Sequence, residues 1–292
     1  MTHLQKQGLM FSVVALVIAA AGSLLPNAND PATLLMLAAL ITALGVPHGA
    51  LDTLFARELH GVRSITGWCI FTLAYLAPAA LVVVLWHYAP AVFLVGFLLV
   101  SGVHFSGDPA PGARYFTRIM YGGALILLPL LLHAAEVSAL FAFLVGSDIA
   151  APIVYWLGYL SWPWLVGTVI AVVSCLRADW LTALELASVA LLALLAPPLL
   201  AFTIFFCGMH SARHILRTAR HVGTATNYQL VRAAAAPLLG ALATGAALLW
   251  YLPASPIDAR VTQLVFVGLA ALTIPHMALV ERIRLAGWKN QD

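Results

Sequence analysis

The sequence predicts an all-α fold: a polytopic membrane helix bundle of about ten spans, built as a single integral membrane domain over residues 1–292. Three observations carry this prediction. The chain is 63% hydrophobic and only 9% charged, whereas soluble domains carry about 25% charged residues, so it cannot cover a water-facing surface. Its apolar residues fall into runs near the ~20 residues that a helix needs to cross a bilayer. Its basic residues gather at one set of run ends.

Taken in order, the first run, 9–25, lacks a strongly basic leader and a clear small-residue cleavage site, so it reads as a span and not as a removable signal. Spans follow at 32–46, 67–86, 90–105 and 118–133. The stretch 137–147 is apolar but short, and it reads as a partial or interfacial helix. Further spans run over 152–175, 180–196, 199–216, 231–251 and 262–281. Pro197-Pro198 either kinks one long helix or closes a short helical hairpin. Charge favours the hairpin. With ten spans, Lys6, Arg57, Arg63, Arg114, Arg118, Arg177, Arg213, Arg217, Arg220, Arg232, Arg282, Arg284 and Lys289 share one side, and only Arg260 of the 14 basic residues lies opposite. The positive-inside rule makes the rich side cytoplasmic. The expectation is a multi-pass protein of the inner (cytoplasmic) membrane with both termini in the cytoplasm.

The net charge of +3 gives no pointer to nucleic acid. Cys69, Cys175 and Cys207 are scattered through apolar runs and read as small buried hydrophobes, with no disulfide framework or CxxC site. No internal repeat is visible.

Five of the ten histidines stand apart from the rest. His210 and His214 lie at i and i+4 directly after a membrane-length apolar run, so one helix face can present both imidazoles to a metal ion. His48, His104 and His276 fall at a similar depth in other spans, all on the cytoplasmic side. Polar groups in lipid are costly unless buried, paired or functional. His48, His104, His210 and His214 are the candidate metal ligands. His276 reads as a fifth ligand, a supporting residue or a pocket wall. Imidazoles suit iron, zinc, copper or nickel, and the residues alone do not choose among them. Asp52 follows His48 by four residues and Asp108 follows His104 by four, so each could hold the free ring N–H of its neighbour; capping or pairing with a nearby arginine is the plain alternative. Glu185, the one acid well inside an apolar run, could bond a ligand histidine or stay neutral.

Four blocks together carry a resemblance. Gly45-Val46-Pro47-His48-Gly49-Ala50-Leu51-Asp52, His104-Phe105-Ser106-Gly107-Asp108, the run from Pro197-Pro198 through Phe202 into Cys207-Gly208-Met209-His210-Ser211-Ala212-Arg213-His214, and Ile274-Pro275-His276 are similar to the Brp/Blh family of membrane β-carotene 15,15′-dioxygenases, over roughly 40–285. The resemblance implies a non-haem Fe(2+) centre held by His48, His104, His210 and His214. It also implies cleavage of the central double bond of β-carotene with O2, giving two molecules of all-trans-retinal. The substrate reaches such an enzyme through the lipid bilayer, and a retinal-binding opsin is a natural acceptor for the product. Expected tunnel walls are Phe105, Tyr115, Tyr121, Phe202, Phe206 and Trp250. Rival readings are a desaturase- or hydroxylase-type oxygenase and a membrane transporter for metal or small molecules. The first would want further histidine boxes for two irons. The second would want polar residues along both halves of a pathway.

Overall fold

The computed structural model describes residues 1–22, 30–222, 227–251 and 257–285, and every regular element among them is helical. Arg282, Arg284 and Lys289, part of the basic asymmetry, lie outside the described side chains.

Helix α1 (His3–Ala20) opens on a capping box between Thr2 and Gln5. Asp30 caps α2 (Pro31–Leu40) through Thr33 N–H, with Pro31 in the first turn where a missing N–H costs nothing. The chain continues through a π-helical turn, Ile41–Gly45, into α3 (Pro47–Ala50) and α4 (Asp52–His60). Next come α5 (Ile65–Tyr88), α6 (Pro90–Phe105) and α7 (Tyr115–Leu127), the last tightening into a 3-10 turn at Leu128–Leu131. Then follow α8 (Ala134–Val145), α9 (Ser147–Cys175) and α10 (Trp180–Leu195), which is capped by Asp179. Helix α11 (Pro198–Ile204) runs through a second π-helical segment, Phe205–Ser211, into α12 (Ala212–His221). Helices α13 (Asn227–Tyr251) and α14 (Ile257–Leu285) complete the described chain.

Among the described residues, seven helical stretches are long and apolar enough to cross a membrane. The pair 115–131 and 134–145, bent by 111°, makes an eighth, while Pro90–Phe105 and Trp180–Leu195 are apolar but shorter. Each of the ten expected spans is therefore largely helical over its described residues, with 23–25 of the first lying outside them. The 137–147 stretch is α8, the folded-back arm of that bent pair. Large apolar side chains such as Leu73, Leu81, Trp156 and Val169 point outward. Only Ala79 of α5 is buried, as expected of a helix whose solvent is lipid.

The hairpin at Pro197-Pro198 is real. A residue before proline is driven to an extended backbone, and Ala196 (φ −93, ψ 153) obeys. Glu185 and Arg213 are 28 residues apart, which one continuous helix would spread over about 42 Å. Instead Arg213 Nη2 donates to Glu185 Oε1 at 2.6 Å, so the chain folds back after α10 and brings α12 within side-chain reach of it. Helix α1 runs parallel to α10: Gly8 sits against the Glu185–Arg213 pair and Gly22 against the backbone at Leu195. Any side chain at Gly8 would enter the space of the Glu185 carboxylate. The largest apolar core, including Phe11, Ile41, Phe105, Tyr121, Leu186, Phe205 and Met209, packs around this layer.

Candidate metal centre

Two π-helical turns shape the site, and π turns inside helices are frequent at functional positions. The first leaves the Leu44 and Gly45 carbonyls outside the regular ladder. Ser211, at the end of the second, donates to both, at 3.0 and 2.9 Å. Gly45 is obligatory here, because a Cβ would collide with the Phe206 ring. The two turns thus lock together and bring His48, just after the first, beside His210, in the second.

Five imidazoles meet at this place. His48, His104, His210, His214 and His276 are all buried, between 2% and 8% exposed. Their ring centroids form a closed circuit. His104–His210 is 4.5 Å, His210–His48 5.1 Å and His48–His214 5.5 Å; His214–His276 is 5.0 Å and His276–His104 5.2 Å. A cross-contact of 5.1 Å joins His48 to His276. Nitrogen atoms of His48, His104 and His276 lie within 4.8 Å of one another, and His214, His276 and Asp52 form a second such group.

For three of the rings the hydrogen-bond partners fix which nitrogen carries the proton. His210 Nδ1 donates to both Asp108 carboxylate oxygens, at 3.1 and 3.0 Å. His276 Nδ1 donates to those of Asp52, at 2.8 and 2.9 Å. His48 Nδ1 donates to the Gly45 carbonyl, with Ser211 Oγ 3.1 Å away. A proton fixed on Nδ1 leaves Nε2 as a lone pair. The Nε2 atoms of His210 and His276 are buried with no hydrogen-bond partner. Leaving a buried polar atom unsatisfied costs about 1–3 kcal/mol, so two such nitrogens in a cluster of five buried imidazoles fit a bound metal ion.

The two aspartates support rings, but not their sequence neighbours. Helix α6 ends at Phe105, so Asp108 lies beyond it and turns to His210 on another segment. Regular α-helix is interrupted at Leu51, between α3 and α4, and Asp52 meets His276 of α14 and Tyr75 of α5, whose Oη donates to it at 2.7 Å. Among the described residues, Glu185 has no hydrogen bond or ion pair with a histidine. It is ion-paired with Arg213, whose Nη1 also donates to the Asp108 carbonyl at 3.0 Å. Arg217 holds the same carbonyl at 2.8 Å. Tyr75, Ser211 and Arg217, which hold these groups in place, were not candidates in the sequence, where Arg213 entered only as one possible partner for Asp52 or Asp108. Arg213, lying between the paired histidines and able to match an intramembrane acid, carried the one usable signal.

Two of the expected wall residues reach the histidines, and a third stands behind them. Phe206 stacks on His210 at 5.7 Å and meets His48 edge-on at 5.5 Å. Phe105 meets His210 at 5.1 Å, and Phe202 stacks behind Phe206 at 5.3 Å. Phe105 and Phe202 also line an apolar cavity of about 100 Å³ with Ser101, Pro198 and Phe266. The other three lie elsewhere. Tyr121 is buried against Phe205, in the core, and Trp250 is 87% exposed near the end of α13. Tyr115 is 79% exposed and borders a separate cavity of about 820 Å³ on the other face of α6, with Arg118 and Arg217 at one end.

Comparison with known proteins shows the family of the chain. The family model described as Beta-carotene 15,15'-dioxygenase matches residues 39–284, which include all five clustered histidines. A protein named Beta-carotene 15,15'-dioxygenase from an uncultured marine bacterium, 66A03, is 29% identical over 256 residues, covering 84% of this chain and 92% of that protein. A protein of Halobacterium salinarum named "Probable beta-carotene 15,15'-dioxygenase Blh" is 27% identical over 323 residues, covering 95% of this chain and 92% of that protein. No solved structure matches the chain.

Proposed function

The chain belongs to the beta-carotene 15,15′-dioxygenase family, and from that premise we propose that it binds one Fe(2+) through His48, His104, His210 and His214 and uses O2 to cleave the central double bond of β-carotene. One carotene and one O2 give two molecules of retinal, each aldehyde carrying one of the oxygen atoms. The observation that carries the reading is the closed circuit of five buried imidazoles, in which Nδ1 of His48, His210 and His276 is anchored and Nε2 of His210 and His276 is left without a hydrogen-bond partner.

When bound, iron supplies the redox chemistry that makes dioxygen reactive. The protein's own residues do the rest. Neutral histidines leave a divalent ion its full charge, which a dry interior tolerates poorly. Asp52 and Asp108 each share a proton with a ring of the cluster and set two negative charges beside it. Arg213 and Arg217 hold the Asp108 backbone and so fix where that carboxylate points. Phe105, Phe202 and Phe206 form the apolar wall next to the rings, where a flat polyene can lie against them. Aromatic faces also favour cationic character on a polyene. The bilayer is the reservoir from which a hydrocarbon substrate enters. The site lies in the half of an inner-membrane bundle that faces the cytoplasm, with both termini on that side, and a retinal-binding opsin is the kind of acceptor that suits the product.

The test pairs metal analysis of the detergent-purified protein with an anaerobic and an aerobic assay on β-carotene. The expected result is iron at about one per chain and retinal formed only after oxygen is admitted. Protein that carries no iron, or that carries iron and leaves carotene untouched, would overturn the reading.

A further inference from the structure

We propose that His276 is a fifth metal ligand, and that Asp52 and Tyr75 are the positioning residues that aim it. The inference rests on the metal-site reading above and adds a donor from α14 to it.

Three observations carry it. First, His276 is central. Its ring lies 5.0–5.2 Å from those of His48, His104 and His214, and without it the circuit between His104 and His214 is open. It also belongs to both groups of side chains whose ligand atoms lie within 4.8 Å of one another. Second, its two nitrogens are differentiated as a ligand requires. Nδ1 is fixed by both oxygens of Asp52, and Nε2 is buried with no hydrogen-bond partner. A histidine buried only for packing would find a partner for both nitrogens. Third, its support is itself supported. Asp52 Oδ2 accepts from Tyr75 Oη at 2.7 Å, so the chain Tyr75–Asp52–His276 runs from α5 through α4 to α14. Helix α5 buries almost nothing else, which makes this hydrogen bond its specific tie to the site. Carboxylates behind ligand histidines set the tautomer and orientation of the ring. Five nitrogen donors would leave a six-coordinate ion one open position for an exogenous ligand, where four would leave two.

The test uses the full chain, stripped of metal and reloaded with cobalt(II), whose visible spectrum reports its donor set. Affinity is read by competition with a chelator. His276→Ala is expected to lose about 100-fold or more in affinity and to change the cobalt spectrum, with added imidazole restoring both. Tyr75→Phe removes only a hydroxyl and is expected to lose about 10-fold while keeping the wild-type spectrum. A folded His276→Ala protein with wild-type affinity and spectrum would overturn the proposal. If His276→Ala does not fold, wild-type affinity in both Tyr75→Phe and Asp52→Asn overturns it instead. His210→Ala separates the two readings. If it keeps metal while His276→Ala loses it, the ligand set proposed above fails and this inference stands. A wild-type chain that binds neither iron nor cobalt overturns both.

Discussion

At His210, the Asp108 carboxylate decides which ring nitrogen carries the proton, and therefore which one can face a metal. Asp108→Asn keeps the size of the side chain but loses the charge. It is expected to weaken iron retention by about 10- to 100-fold, read by chelator competition, while the protein stays folded. Losing a ring is more severe: His210→Ala should abolish both bound iron and retinal formation, and full iron with activity would disprove the cage as drawn. Phe206→Ala should do the opposite of Asp108→Asn. Iron content stays at the wild-type level, while retinal formation falls, because the wall against His210 and His48 is gone and the ring itself is not. The positions of the five histidines were legible in the sequence, since hydropathy and charge alone set them at one depth. Their partners were not. A spacing of four assigns a partner only on an unbroken helix, and the chain leaves α6 before Asp108 and interrupts its helix at Leu51, just before Asp52.

Among the helices, the hairpin of α10 with α11 and α12 is the part on which the site depends most. Its ends are joined by the buried Glu185–Arg213 pair, with both side chains 4% exposed. Removing one partner from a buried pair leaves an uncompensated charge and costs about 3–5 kcal/mol. Glu185→Gln is therefore expected to lower thermal stability in detergent markedly and, by freeing Arg213, to loosen iron as well. An unchanged melting temperature would mean that the pair carries no structural load. Gly8 tests the same joint from α1: a methyl group there meets the Glu185 carboxylate, and overpacking of this kind costs about 1–3 kcal/mol. The hairpin was legible because Pro197-Pro198 offers two outcomes and the arginines select one. The π turns were not. Their extra residue per turn is held by tertiary contacts, Ser211 on the Leu44 and Gly45 carbonyls and Phe206 over Gly45, which no local pattern announces.

For the molecule as a whole, the asymmetry of charge and the asymmetry of chemistry coincide. Arg57, Arg118, Arg213 and Arg217 belong to the same helix ends as the histidine cluster, while His133 and Tyr88 belong to the opposite ends of their helices. If the basic side is cytoplasmic, the metal site faces the compartment that is reducing and can supply ferrous ion, and the product is released into the leaflet next to it. Sidedness can be read directly in bacteria expressing the chain with its three native cysteines replaced. A single cysteine at Tyr88, which is 79% exposed at the end of α5, should react with a membrane-impermeant maleimide on intact cells once the outer membrane is permeabilised. Cysteines at Gly112 and Arg177, both exposed on the other side, should react only after the inner membrane is opened. The reverse pattern would place the histidines beneath the outer face of the membrane and overturn the cytoplasmic orientation, while leaving the helix packing and the imidazole circuit as described. Labelling of all three positions on intact cells would instead mean that the chain crosses the membrane fewer times than its helices allow, and the short helix α6, which separates Tyr88 from Gly112, would be the first to lose its standing as a span.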